Sequence, residues 1–169
     1  MITKYILPLT VVLVLLTALS CKSKIKQQDD QLYSRHLQRQ VKLTIINTPM
    51  PDDKTELNLL ILNDGQDMVQ FKIKEIVDSL YKKNLIKPLL IVGVHAGDRM
   101  QEYGVAEYPD FLKRGGKADS YDAFINNELY PFAKKNATVR KFKTVAIAGC
   151  SQGGLSAFDI AWNRADKID

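Results

Sequence analysis

Residues 144–162 read TVAIAGCSQGGLSAFDIAW and contain the most informative pattern of this chain. The apolar run Thr144–Ala148 predicts a buried strand, and the mostly apolar segment Leu155–Trp162 predicts a helix that is buried on nearly all sides. Between them lies a G-x-S-x-G motif, which requires the chain to turn sharply from the strand into the helix. The sequence therefore predicts a strand–turn–helix unit with a serine at the turn.

Ser151 lies at the centre of that motif, where a serine favours nucleophilic chemistry. Gly149 and Gly153 are expected because side chains at these two places would collide in the turn. The N–H groups at the start of the helix would stabilise negative charge on a substrate oxygen. An ordinary glycine-rich turn is the alternative, and the flanking strand and helix favour the catalytic interpretation. Cys150 is expected to be a small buried filler.

Segments of strand and helix character also alternate before this unit, which is typical of an α/β domain. The spacing of apolar residues over 69–80 predicts a helix with Val69, Ile73 and Ile76 on its buried face. A second helix is predicted over 121–132, with a bend at Pro131. The remaining predicted elements are strands at 41–47, 57–62 and 89–94 and a long polar loop at 96–119.

The first twenty residues have a short positive start and an apolar run that is too short to span a bilayer. Small residues directly before Cys21 predict a lipoprotein signal peptide over 1–20, with Cys21 as the site of lipid attachment. An uncleaved membrane anchor is the alternative. Residues 21–39 are polar and predict a flexible tether, which leaves 40–169 as the folded domain. We therefore expect an exported, membrane-anchored lipoprotein that faces the periplasm or the cell surface of a bacterium.

The composition agrees with one globular domain: 169 residues, of which 46% are hydrophobic and 25% charged. Collagen-like, low-complexity and disulfide-rich classes are excluded by 9 Gly, 6 Pro and 2 Cys. The formal net charge of +5 is mild and predicts no nucleic-acid partner. Neither metal-ligand spacing nor a phosphate-binding loop is present in the sequence, so no metal and no cofactor is expected.

Four segments resemble the Putative esterase family of α/β-hydrolases, which includes esterase D, enterochelin esterases and feruloyl esterases. The resemblance spans about residues 40–165, in the order of the family, and implies hydrolysis of a small-molecule or glycan-linked ester. It also implies an incomplete α/β-hydrolase fold, with a mostly parallel sheet and flanking helices, that ends after the helix following Ser151. The segments are 60–67, 92–103, 128–132 and 146–157.

The resemblance assigns the catalytic role to Ser151 and an oxyanion hole to backbone N–H groups. The donors would be Gln152 and the Gly65–Gln66 loop. One difference lies at Gln152, where the family often has Leu or Met; this keeps the N–H group but changes the wall beside Ser151.

Three further residues are candidates for a substrate loop. Asp64 follows a predicted strand, and the alternative for it is a helix N-cap. Arg99 would bind an anionic substrate group, but an ion pair with Asp98 or Glu102 is the favoured interpretation. His95 is a candidate for the general base that would activate Ser151. A histidine held by local hydrogen bonds is the favoured interpretation.

The triad partners of this fold follow the nucleophile in the order acid, then histidine. Only eighteen residues follow Ser151, and none of them is histidine. We therefore expect a chain that is cut after the nucleophile helix and has feeble activity, since a serine without its base stays protonated. A non-catalytic surface lipoprotein with an α/β-hydrolase-like binding crevice and a product of a pseudogene or incompletely read gene are the alternatives.

Overall fold

The computed structural model describes residues 25–50 and 56–169. The predicted signal peptide at 1–20 and the predicted lipid attachment at Cys21 lie outside these ranges. Within them, none of the helices combines the length and the apolar character that a bilayer-spanning segment needs.

In the described part of the chain, five strands form one mixed sheet in the order β1-β2-β4-β3-β5. β3 runs parallel to both β4 and β5, whereas β2 pairs in the antiparallel sense with β1 and β4. Helices flank this sheet, as in α/β-hydrolases, so the predicted fold class is confirmed. The predicted mostly parallel sheet is wrong in detail, because two of the four pairings among the described strands are antiparallel. The strands are β1 Lys26–Ser34, β2 Arg39–Asn47, β3 Asn58–Asn63, β4 Leu89–Val94 and β5 Val145–Ala148.

The helices follow the strands in the alternation expected for this class. Short helices lie beside the ends of strands, and longer ones cover the two faces of the sheet. They are a 3-10 helix at Gly65–Asp67, α1 Ile73–Lys82, α2 Arg99–Glu102, α3 Ala118–Phe124, a π-helical segment at Ile125–Leu129, α4 Tyr130–Ala137 and α5 Gln152–Asn163.

Apolar side chains on the two faces of the sheet build two cores. Successive residues of a strand point to opposite faces, so Leu59 and Ile61 of β3 belong to the larger core with α3, α4 and α5. Leu60 and Leu62 pack instead against the smaller core, which contains Val77 of α1. β3 is thus covered on both faces, as its nearly continuous apolar sequence predicts.

The predicted tether is wrong from residue 26 onward, because Lys26–Ser34 forms a strand and Arg39 begins the next one. β1 pairs with β2 along its full nine residues, from Lys26 opposite Asn47 to Ser34 opposite Arg39. As an edge strand, it needs no apolar run: its backbone bonds to β2 while most of its side chains face solvent. Its polar composition therefore resembles that of a linker.

The helix predicted over 69–80 begins later, at Ile73. Lys72 directly before it has a left-handed backbone, with φ 53°, which interrupts any helix that would start at Val69. Val69 is consequently 72% exposed and Ile76 50% exposed, contrary to the predicted buried face. Met68, which was not predicted to be buried, packs into the smaller core instead of Val69.

The helix predicted over 121–132 begins at Ala118 and contains a π-helical segment just before Pro131. Proline has no N–H group, so residue 131 cannot donate to the carbonyl one turn earlier. The wider π turn lies where that bond would be missing.

The burial predicted for α5 is wrong on one side of the helix. Ala157 and Ile160 face the core, but Leu155, Phe158 and Trp162 are 47%, 64% and 76% exposed. The rings of Phe158 and Trp162 stack at 6.0 Å between centroids. Since β5 is also an edge strand of the sheet, apolar surface is open on this side of the described chain.

Candidate functional site

Ser151 lies in a tight elbow between β5, which ends at Ala148, and α5, which begins at Gln152. Its backbone has φ 54° and ψ −125°, a region that side-chain-bearing residues rarely adopt and that costs about 1–3 kcal/mol. The residue is exposed, and its hydroxyl makes no hydrogen bond to the residues that the structure describes. The elbow therefore presents an unoccupied hydroxyl to solvent.

Glycines on either side make the elbow sterically possible. A Cβ atom on Gly149 would lie well under 3.0 Å from the backbone of Gly153, a distance that real Cβ atoms do not show. A Cβ atom on Gly153 would lie 2.8 Å from Oδ2 of Asp64. Gly149 thus requires glycine because fixed backbone occupies the space of a side chain, whereas a side chain at Gly153 would displace the carboxylate of Asp64.

The loop after β3 lies directly beside the elbow, since β3 and β5 are parallel neighbours and end at the same edge. Asn63 Nδ2 donates to the carbonyl oxygen of Gly153 at 2.8 Å. The N–H groups of Gly65, Gln66 and Gln152 make no hydrogen bond within the described ranges. These unbonded N–H groups lie in the two neighbouring turns, to which the resemblance assigns an oxyanion hole made by Gln152 and one donor of the Gly65–Gln66 loop.

The side chain of Gln66 is fixed at both ends of its amide. Nε2 donates to Asp64 Oδ1 at 3.1 Å, and Oε1 accepts from the N–H group of Ala96 at 3.2 Å. These bonds hold the loop that carries two of the three free donors.

Arg99 pairs with Asp64, not with Asp98 or Glu102 as expected from the sequence. Its Nε and Nη2 donate to the two carboxylate oxygens of Asp64 at 2.8 and 3.0 Å. Asp64 has φ 59° and makes no side-chain cap hydrogen bond, so the N-cap alternative is also wrong. The hydrogen bond with Asp64 raises the pKa of Arg99.

Glu102 is unavailable to Arg99 because its buried carboxylate is already engaged. Arg39 donates to both of its oxygens at 2.6 and 2.7 Å, and the N–H group of Gly97 donates to Oε2 at 3.1 Å. Arg39 also donates to the carbonyl oxygen of His95 at 3.2 Å. This ion pair fixes α2 against the β1–β2 hairpin.

A buried network of Tyr103, Tyr121 and Asn63 supports the elbow from below, and sequence reasoning missed it. Tyr103 Oη accepts from the N–H group of Asp64 at 2.9 Å, and Tyr121 Oη donates to Asn63 Oδ1 at 2.6 Å. Burial raises the pKa of Tyr103 to about 12 and that of Tyr121 further, so both hydroxyls stay protonated. Asn63 could have indicated this network, because a polar residue at the end of a buried strand needs hydrogen-bond partners.

His95 is not positioned as a base for Ser151. Its Nε2 is hydrogen-bonded to Thr44 Oγ1 at 2.9 Å, and Thr44 in turn donates to Asp29 at 3.0 Å. β3 separates β4, which His95 follows, from β5, so the strand ends are about 10 Å apart. Burial lowers the pKa of His95, partly opposed by Asp29. The favoured interpretation, a histidine held by local hydrogen bonds, agrees with this geometry.

A cavity of about 310 Å³ opens beside Ser151. Val105 and Leu155 provide apolar walls, and an ion pair between Arg114 and Asp110 lies at its border. The other lining residues are Gly104, Tyr108, Ser151 and Gln152. The cavity is large enough for a small organic group placed next to the serine hydroxyl.

Cys150, expected to be a buried filler, is exposed at the elbow. Cys150 is the residue between glycine and serine in the G-x-S-x-G motif, where any residue type is allowed, and its side chain points away from the core because the chain reverses direction there.

Within 25–50 and 56–169, no three His, Cys, Asp or Glu side chains are grouped so that they could hold a metal ion.

Comparison with known proteins identifies the family of this sequence and solved structures with a similar fold. The sequence profile of the family described as Putative esterase matches residues 34–167. No curated protein matches the sequence significantly. Among solved structures, enterochelin esterase from Shigella flexneri is similar with a TM-score of 0.69 at 22% identity, covering 84% of this chain.

Two other structures show the same likeness. A ferulic acid esterase gives a TM-score of 0.64 at 20% identity, and the BES protein from Bacillus cereus gives 0.66 at 23%. Each alignment covers 86% of this chain, but only 57% and 58% of those proteins. For the Shigella enzyme the share is 34%, so this chain spans between about a third and three fifths of the length of the structures it matches.

Proposed function

Because the chain belongs to the Putative esterase family, we propose that it carries the nucleophile portion of a serine ester hydrolase, with Ser151 as the attacking group. The observation that carries this proposal is the elbow itself. A strained serine with a free hydroxyl lies in the turn that neighbours three backbone N–H groups without partners among the described residues, and it lines a cavity. The family and its solved structures support hydrolysis of esters, and the identity of the nucleophile is our inference.

In the proposed reaction, Ser151 Oγ forms a bond to the carbonyl carbon of the ester, and the carbonyl electron pair moves onto its oxygen. The N–H groups of Gln152 and the Gly65–Gln66 loop would stabilise that oxyanion. Collapse of the intermediate breaks the bond to the alcohol, which leaves with a proton. Water then hydrolyses the acyl-serine and releases the acid.

We infer that this chain alone is a slow catalyst. The proton of Ser151 must pass to solvent, because no described side chain accepts it and His95 bonds to Thr44. Sites that lack their triad retain roughly a thousandfold acceleration over water through the oxyanion hole and binding. The acyl group or the alcohol of a small-molecule or glycan-linked ester would occupy the cavity beside the serine, and neither metal nor cofactor takes part in the proposed steps.

Ser151→Ala tests this proposal with p-nitrophenyl acetate as the substrate. We expect hydrolysis by the unmodified chain to exceed that of the variant at least about tenfold, since the covalent route is lost. Ser79→Ala, which changes an exposed serine on α1, is the matched control and should retain the full rate. Equal rates for the chain and Ser151→Ala would contradict the proposal and favour a non-catalytic lipoprotein with a binding crevice.

We also propose that the protein is exported and anchored to a bacterial membrane through an acylated Cys21. The support is the sequence pattern of residues 1–21, which lies outside the described structure. Expression in bacteria fed an alkyne-tagged fatty acid should label the protein, and Cys21→Ser should abolish the label. Cys150→Ser should keep it. A label that survives Cys21→Ser would contradict lipid attachment at this residue.

A further inference from the structure

Arg99 is the one side chain in the described structure that bonds to both turns of the candidate site. Its guanidinium holds both oxygens of Asp64, in the turn after β3, and its Nη2 also donates to the carbonyl oxygen of Cys150 at 3.2 Å. The first turn carries the free donors of Gly65 and Gln66, and the second carries Ser151 and the donor of Gln152. The guanidinium of Arg99 therefore joins these two groups of donors, in addition to the bond from Asn63 at the end of β3 to Gly153.

The bond to Cys150 restricts the strained residue itself. The carbonyl of Cys150 and the nitrogen of Ser151 belong to the same rigid peptide plane. Fixing the orientation of that carbonyl limits rotation of the plane and hence φ of Ser151. The same oxygen also accepts from the N–H group of Gly153 at 2.9 Å, so it is held from two directions. A backbone at φ 54° needs such constraints, because a strained conformation persists only when its surroundings determine it.

The segment that carries Arg99 is itself fixed. Tyr103 places its ring 5.4 Å from Arg99 Cζ, which favours the cation over the ring face. Gln152 Nε2 donates to the carbonyl oxygen of Tyr103 at 2.9 Å, which ties α2 to the start of α5 a second time. Glu102, one turn after Arg99, is held by Arg39. The guanidinium is thus presented from a rigid support and not from a mobile loop.

We propose that Arg99 is a positioning residue, which acts through the Cys150 carbonyl and Asp64 to hold Ser151 and the oxyanion donors in one geometry. This inference rests on the proposed function of Ser151 and extends it. Arg99 makes no contact with the reacting atoms in this arrangement, and its charge is already balanced by Asp64. Its loss should therefore lower the rate of the chemical step more than it weakens substrate binding.

The test compares Arg99→Met and the milder Arg99→Lys with Arg164→Met in the full chain. Arg164 is a matched control because it too forms an ion pair with a buried aspartate, Asp122, but at the far end of α5 from the elbow. We expect kcat for p-nitrophenyl acetate to fall about tenfold or more in Arg99→Met with KM within about twofold. Added methylguanidine should restore part of the rate in Arg99→Met, and Arg164→Met should keep kcat.

A second measurement does not require esterase activity. In a Cys21→Ser background, Cys150 is the only cysteine, and its exposed thiol reports on the elbow through its rate of alkylation by iodoacetamide. We expect both Arg99 variants to change this rate at least about threefold and Arg164→Met to leave it unchanged, because of the two arginines Arg99 alone bonds to the residue that bears the thiol. Circular dichroism confirms that the compared variants are folded.

The outcomes separate the two proposals. If Ser151→Ala shows that the serine is not the nucleophile, the alkylation rate still decides whether Arg99 fixes the elbow. If the alkylation rate of Cys150 changes in the Arg99 variants but KM rises with kcat unchanged, Arg99 binds substrate and the positioning role is wrong. Equal effects of Arg99→Met and Arg164→Met on the alkylation rate would also overturn the positioning role. The loss of any ion pair in the domain would then be enough to change the reactivity of Cys150.

Discussion

Replacing Gly149 with alanine should lower the free energy of unfolding by about 2–3 kcal/mol and reduce Ser151-dependent hydrolysis at least about a hundredfold. The added Cβ would meet the backbone of Gly153 and lie 2.9 Å from the nitrogen of Gly154. Neither group can move alone, because both belong to the first turn of α5. The elbow must open to admit the methyl group, which displaces Ser151 from the free N–H groups.

Gly116→Ala is the control for this substitution. Its Cβ would come within 2.7 Å of Gln101 Oε1 only, the far end of a flexible side chain that can turn away. Urea denaturation followed by circular dichroism measures the stability of both variants, and p-nitrophenyl acetate measures their activity. Similar stabilities for Gly149→Ala and Gly116→Ala would show that the elbow tolerates a side chain, contrary to the steric argument.

Arg39→Met should cost about 3–5 kcal/mol, a large part of the stability of a domain of this size. The Glu102 side chain is only 3% exposed, and Arg39 provides the charge that balances it. Removal of the guanidinium leaves a buried carboxylate with one remaining hydrogen bond, from Gly97. Breaking one side of such a pair is costly because the other charge stays behind without compensation.

Lys143→Met provides the comparison, because Lys143 and Glu56 form an ion pair with side chains 58% and 65% exposed. That change should shift the free energy of unfolding by less than about 1 kcal/mol. Adding Glu102→Gln to Arg39→Met should recover part of the loss, since it removes the buried charge while keeping an acceptor for Gly97. If Arg39→Met and Lys143→Met are equally stable under urea denaturation, the Arg39–Glu102 pair does not hold α2 in place.

Local signals in the sequence were sufficient for the strand–turn–helix unit around Ser151. The glycines at 149 and 153 and the apolar runs beside them act over a few residues, so their meaning does not depend on distant parts of the chain. The same holds for β4, whose predicted range of 89–94 equals the observed Leu89–Val94. A short apolar run after a proline admits few other structures.

Contacts between distant residues could not be predicted in the same way. Arg99 and Asp64 are 35 positions apart, and Arg39 and Glu102 are 63 apart, so proximity along the chain suggested other partners. β1 was missed because an edge strand needs pairing but no apolar face. The exposure of Phe158 and Trp162 was missed for a related reason: hydropathy describes what a side chain prefers, and burial depends on which elements pack against it.

The two edge strands of the sheet differ in how readily they could pair with a strand of another copy. This difference limits how many copies could join edge to edge. β1 forms one edge with nine residues that include Lys26, Asp29 and Asp30, and charged side chains discourage the addition of further strands. β5 forms the other edge with four apolar residues, and Asp169 already bonds to the N–H and C=O groups of Val145 there. Growth of a fibril requires two competent edges in each molecule. For the described residues by themselves, pairing through β5 alone would therefore stop at two copies and give a closed particle instead of a polymer.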